Sequence, residues 1–482
     1  MLSILVCHSY YLRLDHKQVL RAKPYPPLAT LQVVAMLRNA GHQVEFFDSM
    51  LADGIDAYGR LLQGRPQLVV FYEDNFNFLS KMCLGTMRGA ACEMIAAARR
   101  SGSRVIAAGP DVTDAPGPYL EAGADIALLG EGLSALLDVL PRLDSRPDAD
   151  NADLVQGLTG VASLCNGKAV TRSGSKIMPA PDAGLAAWDL VDMDRYRAVW
   201  LKAHGYFSLN MAASRGCPFR CAWCAKPIWG NQYLQRNPSE VAEEMAHLKR
   251  RFNPDHIWFA DDIFGFRVDW VAEFAASVQA AGAEIPFTIQ TRADLVSERM
   301  AEALRDAGCR EAWIGAESGS QRVLDAMNKG TTVAEIRVAR ERLRSVGIRV
   351  GFFIQLGYMG EQLADIVATR DLLDAARPDE IGVSVSYPLP GTKFYDLVKA
   401  QLRGKTHWRE SNDLEMMFQG TYTSDFYRAL RNLMHEQVAL QGAESPASLN
   451  APVRAALDQR WRDLLARESQ YRSPDDRSAA MA

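Results

Sequence analysis

The chain has 482 residues, 48% hydrophobic and 23% charged, with 54 Lys and Arg against 58 Asp and Glu for a net charge of −4. That length and balance fit a globular enzyme of two or three domains, and the interspersed charges exclude a basic nucleic-acid stripe. The opening MLSILVCHSYY has no basic region before its short apolar run, and no stretch reaches about 18 uninterrupted apolar residues. Neither a signal peptide nor a membrane span is therefore expected.

In chain order, LSILV (2–6) reads as a buried parallel strand. YPPLATLQVVAMLRNAGHQVEFFD then gives a proline-marked loop, an amphipathic helix ending at Gly41 and a second strand. PQLVVFYED (66–74), SRVIAAGPD (103–111) and ADIALLGEG (124–132) supply three more strands, with a helix over 83–99. This alternation predicts a doubly wound, flavodoxin-like α/β domain over 1–145. Ligands of such sheets bind at the carboxyl ends of the strands, here 7–10, 72–75, 109–111 and 130–132. Residues 146–200 read as a linker, charged and turn-rich in RLDSRPDADNADL, with short strands over 161–171.

From 201 to 401 the strand–helix rhythm returns. The strands are YFSLNMAAS, HIWFA (256–260), IPFTIQT (285–291), EAWIGA (311–316), RVGFFIQLG (349–357) and EIGVSVSYP (380–388). Six units make a partial (β/α)6 barrel of the TIM type, with function expected at the strands' carboxyl ends. Asn237-Pro238-Ser239-Glu240 starts one helix, and Thr332 with Glu335 forms a capping box for another. Residues 402–482 read as a small helical segment and a tail that is mobile from about 465.

The densest chemistry lies in SRGCPFRCAWCAKPIWG (214–230), which holds Cys217, Cys221 and Cys224. Three soft thiolates in one compact loop suit three irons of a 4Fe–4S cube, leaving a fourth iron open. Structural zinc usually takes four protein ligands, commonly as two separated pairs, and no second pair follows. A zinc site or a structural trio remains the alternative, and a disulfide would leave one thiol over. Cys7, Cys83, Cys92, Cys165 and Cys309 read as small buried hydrophobes. Such cysteine usage fits a reducing cytoplasm.

A CxxxCxxC loop that follows a predicted strand and opens a helix resembles the radical S-adenosylmethionine (SAM) superfamily. The segments YPPLATLQVVAMLRNAGHQVEFFD, AAGPD and LLGEG resemble the N-terminal cobalamin-binding domain of one subset. That subset includes the anaerobic magnesium-protoporphyrin monomethyl ester cyclase-like and class B methyltransferase enzymes. The resemblance covers roughly residues 1–430. It implies that Cys217, Cys221 and Cys224 hold the 4Fe–4S cluster and that SAM chelates the open iron. The SAM contacts implied are Trp223, Asp261, Gln290, Arg292, Glu317, Ser318, Gln355 and Pro388. Glu317-Ser318-Gly319 matches the family's ESG segment, but Ala260-Asp261-Asp262 stands where many members have Gly-Gly-Glu. The implied cobalamin contacts are Ser9, Tyr10, Asn75, Gly109, Pro110, Gly130 and Glu131. The Asp-x-His-x-x-Gly signature is missing, and Asp111 stands where GGPH-type relatives have histidine. The lower face of a bound cobalamin is accordingly expected to lack a protein imidazole.

The resemblance implies reductive cleavage of SAM to a 5′-deoxyadenosyl radical and methylation of an unactivated carbon on a small molecule. An oxidative cyclisation or rearrangement like that building the fifth ring of chlorophyll is the alternative, suggested by residues around 412–427. A non-catalytic cobalamin or redox sensor is a third reading, without the basic surface or output domain it would need. The implied partners are the substrate and an electron donor such as flavodoxin or ferredoxin.

Overall fold

Runs such as SILVC and LVVFY carry no polar alternation, so they suit strands covered on both faces. The computed structural model describes residues 1–76, 85–165, 167–174, 185–225, 230–402, 414–442 and 447–473. Cys83 and Asn412 lie outside the described residues. The chain divides into two units: Met1–Pro218 with Lys226–Asp262 and His407–Glu410, and Phe219–Ala225 with Ile263–Thr406 and Ser411–Ala482.

In the first unit, β1 (Ser3–Cys7), β2 (Gln43–Phe47), β3 (Leu68–Tyr72), β4 (Arg104–Ala108) and β5 (Ile126–Leu128) form a parallel sheet. Their spatial order, 2-1-3-4-5, is the expected flavodoxin-like one. Leu5, Val69, Phe71, Val105 and Ala107 fill a core together with Met94, Ile95 and Ala98 of helix Gly85–Arg100. The short strands foreseen over 161–171 are β6 (Val161–Cys165) and β7 (Lys168–Arg172). They form an antiparallel hairpin, and β6 pairs with β5, so the hairpin extends the same sheet.

Further along this unit come β8 (Ser208–Met211), β9 (Ser214–Gly216), β10 (Tyr233–Gln235) and β11 (His256–Phe259). β8 and β11 are parallel. Helix Pro238–Phe252 starts as foreseen: the Asn237 side chain accepts the Ser239 N–H at 3.0 Å, and proline fills the first turn. The expectation that the cysteine loop opens a helix is not met among the described residues. β9 pairs antiparallel with β10, and the helix begins only at Pro238.

In the second unit β12 (Phe287–Thr291), β13 (Cys309–Glu317), β14 (Arg349–Leu356) and β15 (Glu380–Val385) pair in parallel in chain order. Each of β8, β11, β12, β13, β14 and β15 is followed in the chain by a helix, the rhythm expected of the partial barrel. Ala312, Ile314, Phe352 and Ile354 are wholly buried on one face, whereas Gln290, Trp313 and Phe353 on the other are half-buried. Trp313 stacks on Phe353 with ring centroids 4.8 Å apart. The indole lies flat because Gly351 and Gly382 have no side chain; a Cβ at Gly351 would come within 2.5 Å of it.

Thr332 and Glu335 form the predicted reciprocal capping box of helix Val333–Ser345. Helices Ser424–Gly442 and Ala447–Ala466 meet the expected helical close. The tail expectation needs correction for its first part. Glu468–Tyr471 forms a 3-10 turn, Arg472 bridges Tyr422, and Ser473 N–H donates to Thr421 O at 3.0 Å.

Gly319 offers a test of close packing, because a Cβ there would sit 2.6 Å from Thr369 Cα and collide with the Ala368 carbonyl. Both belong to backbone that cannot swing aside. Gly319→Ala is expected to cost about 1–3 kcal/mol of stability, read as a lowered urea midpoint with unchanged slope.

Candidate active site

The cysteine loop is tied down from each unit separately. In the first unit, Gly216 pairs with Tyr233 and adopts φ +81°, immediately before Cys217. Ser214 Oγ donates to Asp261 Oδ1, and Ala213 N–H donates to Asp261 Oδ2 at 3.1 Å. Asp261, at the carboxyl end of β11, is thus committed to the strand that leads into the loop. Burial pushes its carboxyl up to about 7, with the Ser214 and Ala213 hydrogen bonds opposing.

In the second unit, Ala222 N–H donates to Met327 O at 2.8 Å and Ala222 O accepts Phe394 N–H at 2.9 Å. Asn328 Nδ2 donates to Arg220 O at 2.7 Å. The Arg292 guanidinium lies over the Phe219 ring, 3.7 Å from its centroid. Nη1 of Arg292 is 3.7 Å from Cys221 Sγ, Nη2 donates to Lys329 O at 2.8 Å, and Asp294 receives Nε and Nη2 at 2.9 and 3.1 Å. Lys329 Nζ in turn donates to Glu317 Oε1 at 2.7 Å, with both side chains about 95% buried. Burial pulls the Lys329 ammonium down, but Glu317 and Cys221 outweigh it and hold the group above its ordinary value.

Of the residues expected to contact SAM, the second unit thus joins Arg292 and Glu317 through Lys329. Glu317 is a non-glycine residue at φ +59°, a conformation sparsely populated by such residues. Ser318 faces the helix Leu363–Ala376: its Oγ is 3.1 Å from Thr369 Oγ1 and accepts Ser320 N–H. Gln355 Nε2 donates to Ser386 Oγ at 3.1 Å, and its buried Oε1 has no hydrogen-bond partner. Gln290 is half-buried and its carbonyl accepts Phe264 N–H. Pro388 is buried. Trp223 is half-buried, and its Nε1 is buried with no hydrogen-bond partner.

The residues expected at cobalamin all fall at the first sheet's strand ends. Ser9 N–H donates to both oxygens of Glu73, at 2.9 and 3.2 Å. A Cβ at Gly109 would meet Glu73 Cβ at 2.7 Å, so the glycine admits that carboxylate. Asn75 Nδ2 donates to Tyr72 OH, which donates to Glu131 O at 2.7 Å, while Asn75 Oδ1 is buried without a partner. Glu131 forms an ion pair with Arg215 of β9. Tyr10 OH donates to Asp15, Gly130 N–H to Thr113 Oγ1, and Pro110 opens the short helix Pro110–Asp114. Asp111 is bound by both Arg88 Nε and Nη2 and by Tyr119 OH.

Sequence reasoning passed over Lys329, Phe219, Asp294 and Ser214 as site residues, together with His8. The His8 imidazole is buried, 3.0 Å from Asp48 Oδ1, and Asp48 also accepts Tyr196 OH. These partners stand far apart in the chain or carry no motif, so spacing could not have paired them.

Cys217, Cys221 and Cys224 are half-buried, and none is in a disulfide. Among the described residues no three His, Cys, Asp or Glu converge to hold one metal ion. The fit to a cluster therefore rests on the donor set: three soft sulfurs in one loop, with a cation against one of them.

This strand-end chemistry on two α/β sheets marks a cofactor-dependent enzyme fold, and comparison with known proteins narrows it. Residues 211–373 match the model of the radical SAM superfamily, so the chain carries a radical SAM domain. Members of that superfamily use SAM and a 4Fe–4S cluster. The chain is 25% identical over 64% of its length to an uncharacterized methyltransferase of Pyrococcus horikoshii, spanning 66% of that protein. It is 25% identical over 58% of its length to the anaerobic magnesium-protoporphyrin IX monomethyl ester cyclase of Cereibacter sphaeroides, spanning 45% of it. The chain thus spans less than two thirds of either relative. The structure of TsrM from Kitasatospora setae, a radical SAM methyltransferase with cobalamin and a 4Fe–4S cluster bound, superposes with a TM-score of 0.66. That match has 19% identity and covers 84% of this chain and 76% of TsrM, which establishes likeness of fold.

Two outcomes follow from the buried charges. Truncating one member of the Lys329–Glu317 pair, as in Lys329→Met, leaves the other buried and alone and is expected to cost about 3–5 kcal/mol. Lys329→Met with Glu317→Gln should recover most of that loss in a double-mutant cycle. Asp261 gives a pH signature. Its folded-state pKa exceeds the unfolded value of about 3.9, so its contribution is full below about pH 4 and is lost as pH rises to about 7. Asp261→Asn should gain stability relative to the parent between pH 5 and pH 8, measured by urea midpoints.

Proposed function

We propose that the protein is a cobalamin-dependent radical SAM enzyme that methylates an unactivated carbon of a small-molecule substrate. The observation carrying this reading is the CxxxCxxC loop inside the matched radical SAM span. The flavodoxin-like sheet and the fold likeness to TsrM support the cobalamin part. Domains over 1–145 and 201–401 with a closing segment at 402–482 suit this division of labour, while 146–200, expected as a linker, contributes β6 and β7 to the first sheet. When bound, the 4Fe–4S cluster supplies the electron that splits SAM, and cobalamin carries the methyl group.

The residues of this chain do the positioning. Cys217, Cys221 and Cys224 would hold the cluster, with Asp261 fixing the strand that enters their loop through Ser214 and Ala213. The Lys329–Glu317 pair fixes the end of β13, where Gly315 leaves room for both head groups. Gln355 keeps a buried carbonyl oxygen available to an N–H or O–H donor. In the first sheet, Asn75 Oδ1 is likewise an acceptor awaiting a donor, and Ser9, Glu73 and Gly109 form a close-packed rim for the corrinoid. No helix among the described residues is long and apolar enough to cross a membrane. A reducing cytoplasm, with a flavodoxin or ferredoxin as donor, suits cysteines that serve as cluster ligands.

The cyclase relative supports a second outcome, oxidative ring closure, from the same machinery. Anaerobic reconstitution and turnover with SAM carrying a deuterated methyl group separates the two. A product bearing the labelled methyl is expected; 5′-deoxyadenosine with only unlabelled, oxidised product would replace methylation by cyclisation. Replacing Cys217, Cys221 and Cys224 with alanine should abolish both the cluster absorbance and SAM cleavage.

A further inference from the structure

Arg292 is at the carboxyl end of β12, yet the residue is 94% buried and its donors are largely spoken for. One edge forms the two-point pair with Asp294, and one N–H is spent on the Lys329 carbonyl. The flat face is held on Phe219, two residues before Cys221. With three sides anchored, the remaining nitrogen, Nη1, is held 3.7 Å from Cys221 Sγ, a distance suited to an N–H donor on sulfur. Lys329 brings a second buried positive charge to the same sulfur.

We propose that Arg292 sets the reduction potential of the iron–sulfur cluster by donating an N–H to the Cys221 thiolate. This rests on the reading of Cys221 as an iron ligand. A hydrogen bond and a positive charge at a ligand sulfur withdraw electron density from the iron, favouring the state that carries one more electron. The relevant step is one-electron reduction of the cluster by an external donor, with no bond made or broken. The donor must be strong enough to reduce the cluster, and Arg292 lowers that demand. Asp294 works against it by neutralising part of the charge, so the Arg292–Asp294 pair acts as a graded control. Arg292 is a positioning residue in this role, acting through Cys221.

The test is a potentiometric titration of the reconstituted full-length protein without SAM, following the reduced-cluster signal by electron paramagnetic resonance. Arg292→Gln should shift the midpoint negative by at least a factor of ten in the oxidised-to-reduced ratio, about 59 mV for one electron. Arg292→Lys keeps the charge and should recover at least half of that shift. Asp294→Asn unmasks the guanidinium and should move the midpoint the opposite way, so the proposal stays testable if Arg292→Gln fails to fold. An unchanged midpoint in Asp294→Asn, or in an Arg292→Gln protein with full iron and sulfide content, overturns the proposal. Weakened SAM binding at an unchanged midpoint also overturns it and assigns Arg292 to the SAM carboxylate. Failure of the parent protein to form a 4Fe–4S signal defeats the functional reading itself, a result distinct from any of these.

Discussion

Three cysteines stand on one short, half-buried loop, and as the proposed cluster ligands they would concentrate negative charge that has to be balanced from inside the protein. On the side of the loop that belongs to the second unit, the balance comes from Arg292 and Lys329, both buried. Neither cation could be kept there alone. Arg292 is held by Asp294 and Lys329 by Glu317, so the loop, the end of β12 and the end of β13 form one electrostatic assembly. The strained backbone at Glu317 fits this view. A residue at positive φ is retained where the surrounding contacts over-determine it, and here they are the ion pair and the packing of Gly319 on a neighbouring helix.

The first unit repeats the theme with different chemistry. The strand ends of its parallel sheet gather Ser9, Glu73, Asn75 and Glu131, whose hydrogen bonds run largely among themselves and to Arg215. Burial raises the pKa of both Glu73 and Asp74, the latter to about 6. These carboxyls face the part of an α/β sheet where ligands bind. Both accept backbone N–H groups, Glu73 from Ser9 and Asp74 from Ala29 and Phe76, and these hydrogen bonds oppose the rise.

Periodic and local signals in the sequence carry much of the fold. The apolar runs placed the parallel strands, their alternation with helices gave the 2-1-3-4-5 order, and Thr332 with Glu335 announced a helix start that the structure reproduces. Each depends on contacts between residues near in sequence or on one repeated pattern. The hairpin of β9 and β10 was not legible, because three-residue strands are too short to show a period. The helical close was legible as a class, and helix Ala447–Ala466 buries Leu457, Trp461 and Leu464 at helical spacing. The tail after 465 is polar and reads as loose, yet backbone hydrogen bonds to 421–423 order it through 473. At the site, the residue types and strand ends were legible but the partners were not. Lys329 meets Glu317 across twelve residues and Arg292 meets Cys221 across seventy-one, distances at which only the folded chain supplies the pairing.

The indole of Trp313, laid across the bare backbone of Gly351, imposes an order on how this face of the second unit's sheet can diverge. Gly351 cannot gain even a methyl group while the large ring is present, since a Cβ there would come within 2.5 Å of it. A lineage that remodels this face must therefore give up the tryptophan first, and the reverse sequence of changes passes through a collision. Homologues with a side chain at the Gly351 position should for that reason carry a smaller residue at the tryptophan position.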